Sequence, residues 1–324
     1  MRKVLLLIEK SSNCLSYYDV ESGKRLHTVD LPDFPHEFVL TADGSRVYIG
    51  HYGVINSGST GDGGNEILAL DVAAGKIADR FSCGEGMGRP HGIGLDGNGR
   101  LYALSETAST LLVWDNPAKG GAPDRSAPSG GVKSHLFAIT RDGNTCYSMN
   151  LASNDVTRFN PQDTSIAPVS LNTGEKPEGR LLRADEKMLY VANRGSETLV
   201  AIDTVSFSVV ASTSAPGDPV RIFHDSRRGR LMTINYGGKS VSVFDESSLE
   251  RVGGIDLQAA PVAMSLDPEM KHAYLSVDDN MLHIVDLDTL AISQSIYTHE
   301  EPDVSAIVML ADDCNAIANG TPRS

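Results

Sequence analysis

PHEFVLTADG (residues 35–44), PHGIGLDGNG (90–99) and SHLFAITRDG (134–143) share one pattern: Pro or Ser, then histidine, then an apolar strand-like run ending in a turn. The opening returns without histidine as PEGRLLRADE (177–186), PVRIFHDSRR (219–228), PVAMSLDPEM (261–270) and PDVSAIVMLADD (302–313). The seven openings are spaced by 55, 44, 43, 42, 42 and 41 residues. A period of about 40–45 residues, with several short strands in each unit, is the signature of a β-propeller. The expected fold is all-β: a seven-bladed β-propeller of four-stranded antiparallel blades.

Each full unit supplies its four strands. In the fourth they are GRLLRA, MLYVANR, TLVAIDT and SVVASTSA, and in the sixth VAMSLD, HAYLSV, MLHIVDLD and AISQSIY. Asp19, Asp71, Asp115, Asn160, Asp203, Asp245 and Asp286 end the third strands, where a short polar side chain can bond its own backbone and start a turn. The seventh opening has one strand left, whereas KVLLLIE, CLSYYDV and KRLHTVD precede the first opening. The last blade should therefore join one C-terminal strand to three N-terminal ones, closing the sheet edge. This gives one domain over residues 1–315 and a tail over 316–324. Two Gly/Ser/Pro-rich stretches, Asn56–Gly64 and Pro117–Ser134, read as insertions of the kind that form lids or binding loops.

A net charge of −14 without a basic stripe argues against nucleic acid and anionic membrane as partners. Cys14, Cys83, Cys146 and Cys314 show neither CxxC spacing nor a disulfide framework. The opening MRKVLLLIEK meets Glu9 and Lys10 too early for a signal peptide and reads as a strand. A cytoplasmic location is the expectation.

LYVANRGSETLVAIDT (189–204) is similar to the blade consensus of YVTN-type, lactonase-like seven-bladed propellers, and the resemblance runs along essentially the whole chain. PHGIGLDGNGRLYALSE also resembles blades of NHL-type propellers. These families include lactone hydrolases, lyases and non-catalytic binding modules, so the resemblance implies fold more sharply than activity.

In such a fold the start of each innermost strand and the end of the returning second strand reach the same mouth of the axial channel. One ring then holds His36, His91, His135, Glu178, Val220, Val262 and Asp303. The other holds approximately Glu9, His51, Glu106, Asn150, Asn193, Asn235 and Asp278. Three imidazoles from neighbouring blades, His36, His91 and His135, with Glu178 or water, suit one divalent metal such as Mn, Fe, Ni or Zn. Such axial triads resemble those of metal-dependent propeller lyases. A metal-free acid/base cluster and a purely structural use of the histidines are the competing readings.

His51 can serve as a further ligand, a general base or a substrate contact. Glu106 and Glu178 can orient imidazoles, act in proton transfer or simply line the mouth. Arg180, Arg194 and Arg221, with Arg89 nearby, form a cationic rim suited to an anionic substrate, or else neutralise Glu178 and its neighbours. Asn150, Asn193 and Asn235 are candidate substrate contacts. His224 falls at an apolar core position, Trp114 reads as core, and His27, His272, His283 and His299 lie outside both rings. GEGMGRP lacks the helix that a phosphate loop needs, and there is no GxSxG elbow.

The leading expectation is a metal-dependent enzyme that opens or rearranges a small oxygenated ring or hydroxy acid, as lactone hydrolase, lyase or isomerase. The alternatives are a non-catalytic ligand- or protein-binding propeller and, lower, a His-ligated non-haem iron oxygenase.

Overall fold

A computed structural model describes residues 1–314, and the tail expected over 316–324 lies outside them. The fold is a seven-bladed β-propeller, with seven four-stranded antiparallel sheets. Blades one to six follow the chain within residues 35–82, 90–128, 134–172, 177–214, 219–256 and 261–297. Blade seven is composite as expected, ordered Pro302–Leu310, Arg2–Glu9, Cys14–Asp19, Arg25–Asp30. Its C-terminal strand pairs antiparallel with the N-terminal one from Arg2↔Leu310 to Glu9↔Pro302.

The second insertion differs from its expectation. Pro117–Ser134 contains a 3-10 turn at Pro117–Lys119 and the outermost strand of blade two, Arg125–Pro128. Strand Thr110–Trp114 pairs with it from Thr110↔Pro128 to Val113↔Arg125, so much of this polar stretch is blade.

The chain divides into two compact units. The first comprises residues 1–93, 118–122 and 262 onwards; the second comprises 94–117 and 123–261. In the first, Leu6 and Ile8 pack with Val47, Ile49 and Leu68, whereas Leu5 and Leu7 pack with Tyr274, Leu282 and Ile284. Both faces of Arg2–Glu9 are thus buried, which explains an unbroken VLLLI run where a half-exposed strand would alternate. In the second unit, Leu104 and Leu111 meet Phe137, Val156 meets Val191 and Val200, and Ala192 meets Ile222 and Leu231. The outermost strands carry the exposure, as in Ser208–Ser214 and Arg251–Asp256.

The third-strand turn residues behave as their chemistry requires. Asp19, Asp71, Asn160, Asp203, Asp245 and Asp286 each accept a backbone N–H two or three residues on, at 2.7–3.0 Å. Asp115 instead takes the Arg125 guanidinium at 2.6 and 2.7 Å, where the chain leaves the regular turn.

The start of the innermost strand is irregular in a repeated way. A non-glycine residue with positive φ stands two positions before the site residue in six blades: Phe34, Arg89, Lys133, Lys176, Asp218 and Glu301, at φ 50–61°. Such a conformation is uncommon outside glycine. A β-bulge follows in the pairings that begin at Pro35, Ser134, Pro177 and Pro219. In the last three, the skipped residue is His135, Glu178 or Val220, the very position singled out by the repeat. Bulges re-aim side chains out of the regular ladder, so the polar residues are delivered by a backbone device.

Candidate active site

The expected metal set divides between the two units. His36 and His91 belong to the first; His135 and Glu178 belong to the second.

In the first unit, one ligand-capable atom from each of His36, Glu37 and His91 lies within 4.8 Å of the others. The two imidazoles meet edge to face, with centroids 4.4 Å apart and planes at 80°. Tyr52, fully buried, touches both rings at 5.5 and 5.0 Å between centroids. His36 Nδ1 lies 2.5 Å from Oδ2 of the buried Asp303, from blade seven. Glu37 was not expected here, because neighbours on a regular strand point to opposite faces. Between Pro35↔His51 and Phe38↔Ile49, however, His36 and Glu37 together oppose the single Gly50. That bulge allows consecutive residues to serve one point.

His51 ends its strand in another direction, with Nδ1 3.6 Å from Glu66. Burial lowers its pKa below the usual histidine value, against the opposing pull of Glu66 and Asp33. Gly64 packs on this ring: a Cβ there would sit 2.5 Å from His51 Cγ. Arg89 does not extend into a cationic rim. Its Nη2 donates to the carbonyls of Ser59 and Gly61 at 2.7 and 2.6 Å, holding the first insertion in place.

In the second unit, His135 Nδ1 lies 2.5 Å from Glu106 Oε2, and both side chains are buried. Its Nε2 is 3.8 Å from Glu178 Oε1. Glu178 Oε2 accepts from Arg194 Nη1 at 2.8 Å, and Arg194 makes a bidentate pair with Asp218 at 2.7 Å. Burial opposes the charged guanidinium, but Asp218 and Glu178 outweigh it and hold its pKa above the ordinary value. Arg194 therefore serves its neighbouring acids, one of the two roles open to it from the sequence. Arg180 Nε donates to the carbonyl of Phe137 at 2.7 Å, and the Arg221 backbone packs against Gly179.

The expected second ring mixes two positions. The last residues of the second strands include Glu9, His51, Ser105, Asn150, Asn193 and Asn235. The three asparagines are fully buried; Asn150 and Asn235 bond within their blades, and Asn193 also bonds Thr173 in the preceding connection. Asn150 Nδ2 donates to Asp155 and Thr157, Asn193 Nδ2 to Thr198, and Asn235 Nδ2 to Ser240 and Ser242. Their amide oxygens accept from Ser134 and Ser148, from Thr173, and from Thr233. These bonds engage the asparagine amides with protein partners. Glu9 does the same with Tyr18, Ser16 and Cys14.

The residues that meet the repeated positions stand one place later: Tyr52 on His36 and His91, Glu106 on His135, and Arg194 on Glu178. A one-residue shift exchanges the faces of a strand; applying it consistently to the second strands would have exposed Tyr52.

Three of the remaining histidines have ring partners. His224 Nε2 pairs with Glu246 at 2.9 Å, so it is satisfied as expected, though half-buried instead of in the core. His27 Nε2 meets the Gly75 carbonyl and His283 Nδ1 meets Ser295 Oγ. Trp114 is buried, as expected of core.

No family model matches the chain, and no curated protein matches it. Solved structures do. The periplasmic gluconolactonase PpgL of Pseudomonas aeruginosa superposes with a TM-score of 0.79 at 14% identity, over 96% of this chain and 100% of that one. A candidate 6-phosphogluconolactonase of Bacteroides uniformis gives 0.77 at 15%, over 95% and 100%. A functionally unknown protein of Desulfotomaculum acetoxidans gives 0.77 at 12%, over 95% and 99%. At these identities the likeness establishes the propeller fold and leaves the chemistry to the residues. Among the described residues no helix is long and apolar enough to cross a membrane.

Proposed function

We propose that the chain is an enzyme that hydrolyses a small lactone, with His135 as its acid/base residue. The observation that carries this reading is the buried Glu106–His135 pair, 2.5 Å apart at Nδ1. A carboxylate in that position holds the proton on Nδ1, leaves Nε2 as the basic nitrogen and stabilises the imidazolium formed in turnover. His135 Nε2 takes a proton from water as the water oxygen bonds to the lactone carbonyl carbon. The tetrahedral intermediate then collapses, the ring C–O bond breaks, and His135 returns the proton to the departing ring oxygen, giving the open hydroxy acid. Glu178, 3.8 Å from Nε2 and held by Arg194, positions the water. Lactonase names among the structural neighbours support this reaction class. Because Arg194 is occupied by Glu178 and Asp218, the reading favours recognition of the lactone ring itself over an arginine-bound anionic group.

The test is a pH-stat assay of the full chain on a panel of sugar-acid and simple γ- and δ-lactones. H135N should lower kcat/KM by about 10²–10⁴-fold on the best substrate. E106Q should lower kcat with little change in KM. Hydrolysis by H135N at the wild-type rate, or no hydrolysis of any member by the wild type, overturns the reading.

A further inference from the structure

From the first unit we infer a further site: a binding site for one borderline divalent transition-metal ion, ligated by His36, Glu37 and His91 with Asp303 beside His36. Four observations converge on it. One atom from each of the three side chains falls within 4.8 Å of the others, a span that closes on an ion with small rotations. The bulge at His36–Glu37, of the kind repeated in other blades, here brings two consecutive ligand-capable side chains to one point. Asp303 Oδ2 sits 2.5 Å from His36 Nδ1, which places a buried carboxylate against an imidazole of the set, as in carboxylate–histidine–metal arrangements. Finally, Tyr52 lies edge-on to both imidazoles and limits their rotation.

The donor set decides the class of ion. Two imidazoles and one carboxylate suit Zn²⁺, Co²⁺, Fe²⁺ or Mn²⁺, whereas Ca²⁺ and Mg²⁺ prefer all-oxygen shells. Charge agrees with a divalent ion: with neutral imidazoles, ionised Glu37 and Asp303 together balance two positive charges, which matters where Glu37, His91 and Asp303 are all buried. Access is from His36, whose side chain keeps 12% of its surface exposed. The chain around the site is held from both sides. The first insertion begins at Asn56, shortly after Tyr52, and its Gly64 carbonyl accepts from the backbone N–H of Arg89, two residues before His91.

The experiment uses the full chain without a metal-binding tag, stripped with chelator, dialysed, and titrated with Zn²⁺ by calorimetry and with Co²⁺ by visible absorption. The expected result is about one equivalent of either ion, with Co²⁺ d–d bands reporting nitrogen ligation and no displacement by excess Mg²⁺ or Ca²⁺. H36A and H91A should abolish binding. D303N, which removes the charge beside His36 and no ligand, should weaken it by about 10–100-fold. Should H91A fail to fold, H91N and E37Q keep polarity at those positions and carry the test by the same weakening. H135N should keep the equivalent while losing hydrolysis, so the metal site and the lactonase reading can fail separately. No stoichiometric ion in the wild type overturns the inference, and so does binding unchanged in folded H36A and H91A.

Discussion

Asn150→Ala separates a blade tie from a substrate contact. Asn150 is fully buried and makes side-chain hydrogen bonds to Ser134 (2.6 Å), Ser148 (2.9 Å), Asp155 (2.9 Å) and Thr157 (3.2 Å). Ser134 pairs with Asn150 at the head of the bulge that projects His135, so the amide anchors the strand carrying the proposed acid/base residue. At about 1 kcal/mol net for each bond, losing all of them costs about 4 kcal/mol. An unfolding entropy of about 2.1 cal/mol/K per residue over 324 residues converts that into a fall in Tm of about 6 °C. Differential scanning calorimetry of wild type and variant at one pH measures it. Because the bulge loosens, kcat on any lactone substrate should fall with Tm. A Tm within about 2 °C of wild type, outside the spread expected for so many lost bonds, would refute the tie. A raised KM at unchanged Tm would restore Asn150 as a substrate contact.

Three further outcomes follow from the same geometry. His51 has a depressed pKa through burial, opposed by Glu66 and Asp33. Below the unfolded histidine pKa of about 6.5 the unfolded chain binds more protons at this site, so stability is lost as pH falls through that value. His51→Asn should flatten the decline in Tm between about pH 6.5 and 5, and an unchanged slope would remove His51 as its source. Burial raises the thiol pKa of Cys14 and Cys146 well above the ordinary value and pushes Cys83 up to about 12. A thiol reagent at neutral pH should therefore leave these three unmodified until denaturant is added, as peptide mapping would show. Arg89→Met removes the donors to Ser59 and Gly61. Limited proteolysis should then cut faster within residues 56–63, and an unchanged cutting rate would mean the insertion is held elsewhere.

The fold was legible because each blade is one supersecondary unit and its period survives divergence of every other feature. The composite blade followed by counting strands at the two ends. The repeat drew attention to His36, His91, His135 and Glu178, which interrupt apolar runs at one equivalent position, and three of them fall in bulges. It was less legible where backbone geometry overrides alternation. Glu37 joins His36 only because of an extra residue in the strand, which no periodicity announces. The second ring mixes two phases of the strand: Glu106 stands one place after its strand's last residue, as Tyr52 does, whereas Asn150, Asn193 and Asn235 are themselves last residues. Arginine roles were hidden for another reason. Arg89, Arg180 and Arg194 find partners distant in sequence, and charge alone does not say whether a guanidinium faces ligand or protein.

The composite blade also sets an order of events during synthesis. Of the described strands Arg2–Glu9 is made earliest, yet its neighbour Pro302–Leu310 is made latest. At about 5–20 residues per second, that strand waits roughly 15–60 s with one edge unpaired and a VLLLI run unshielded on that side. An apolar strand edge recruits other chains. Ribosome-bound chains should therefore depend on a holding chaperone until the final strand arrives, a vulnerability that the finished protein no longer displays.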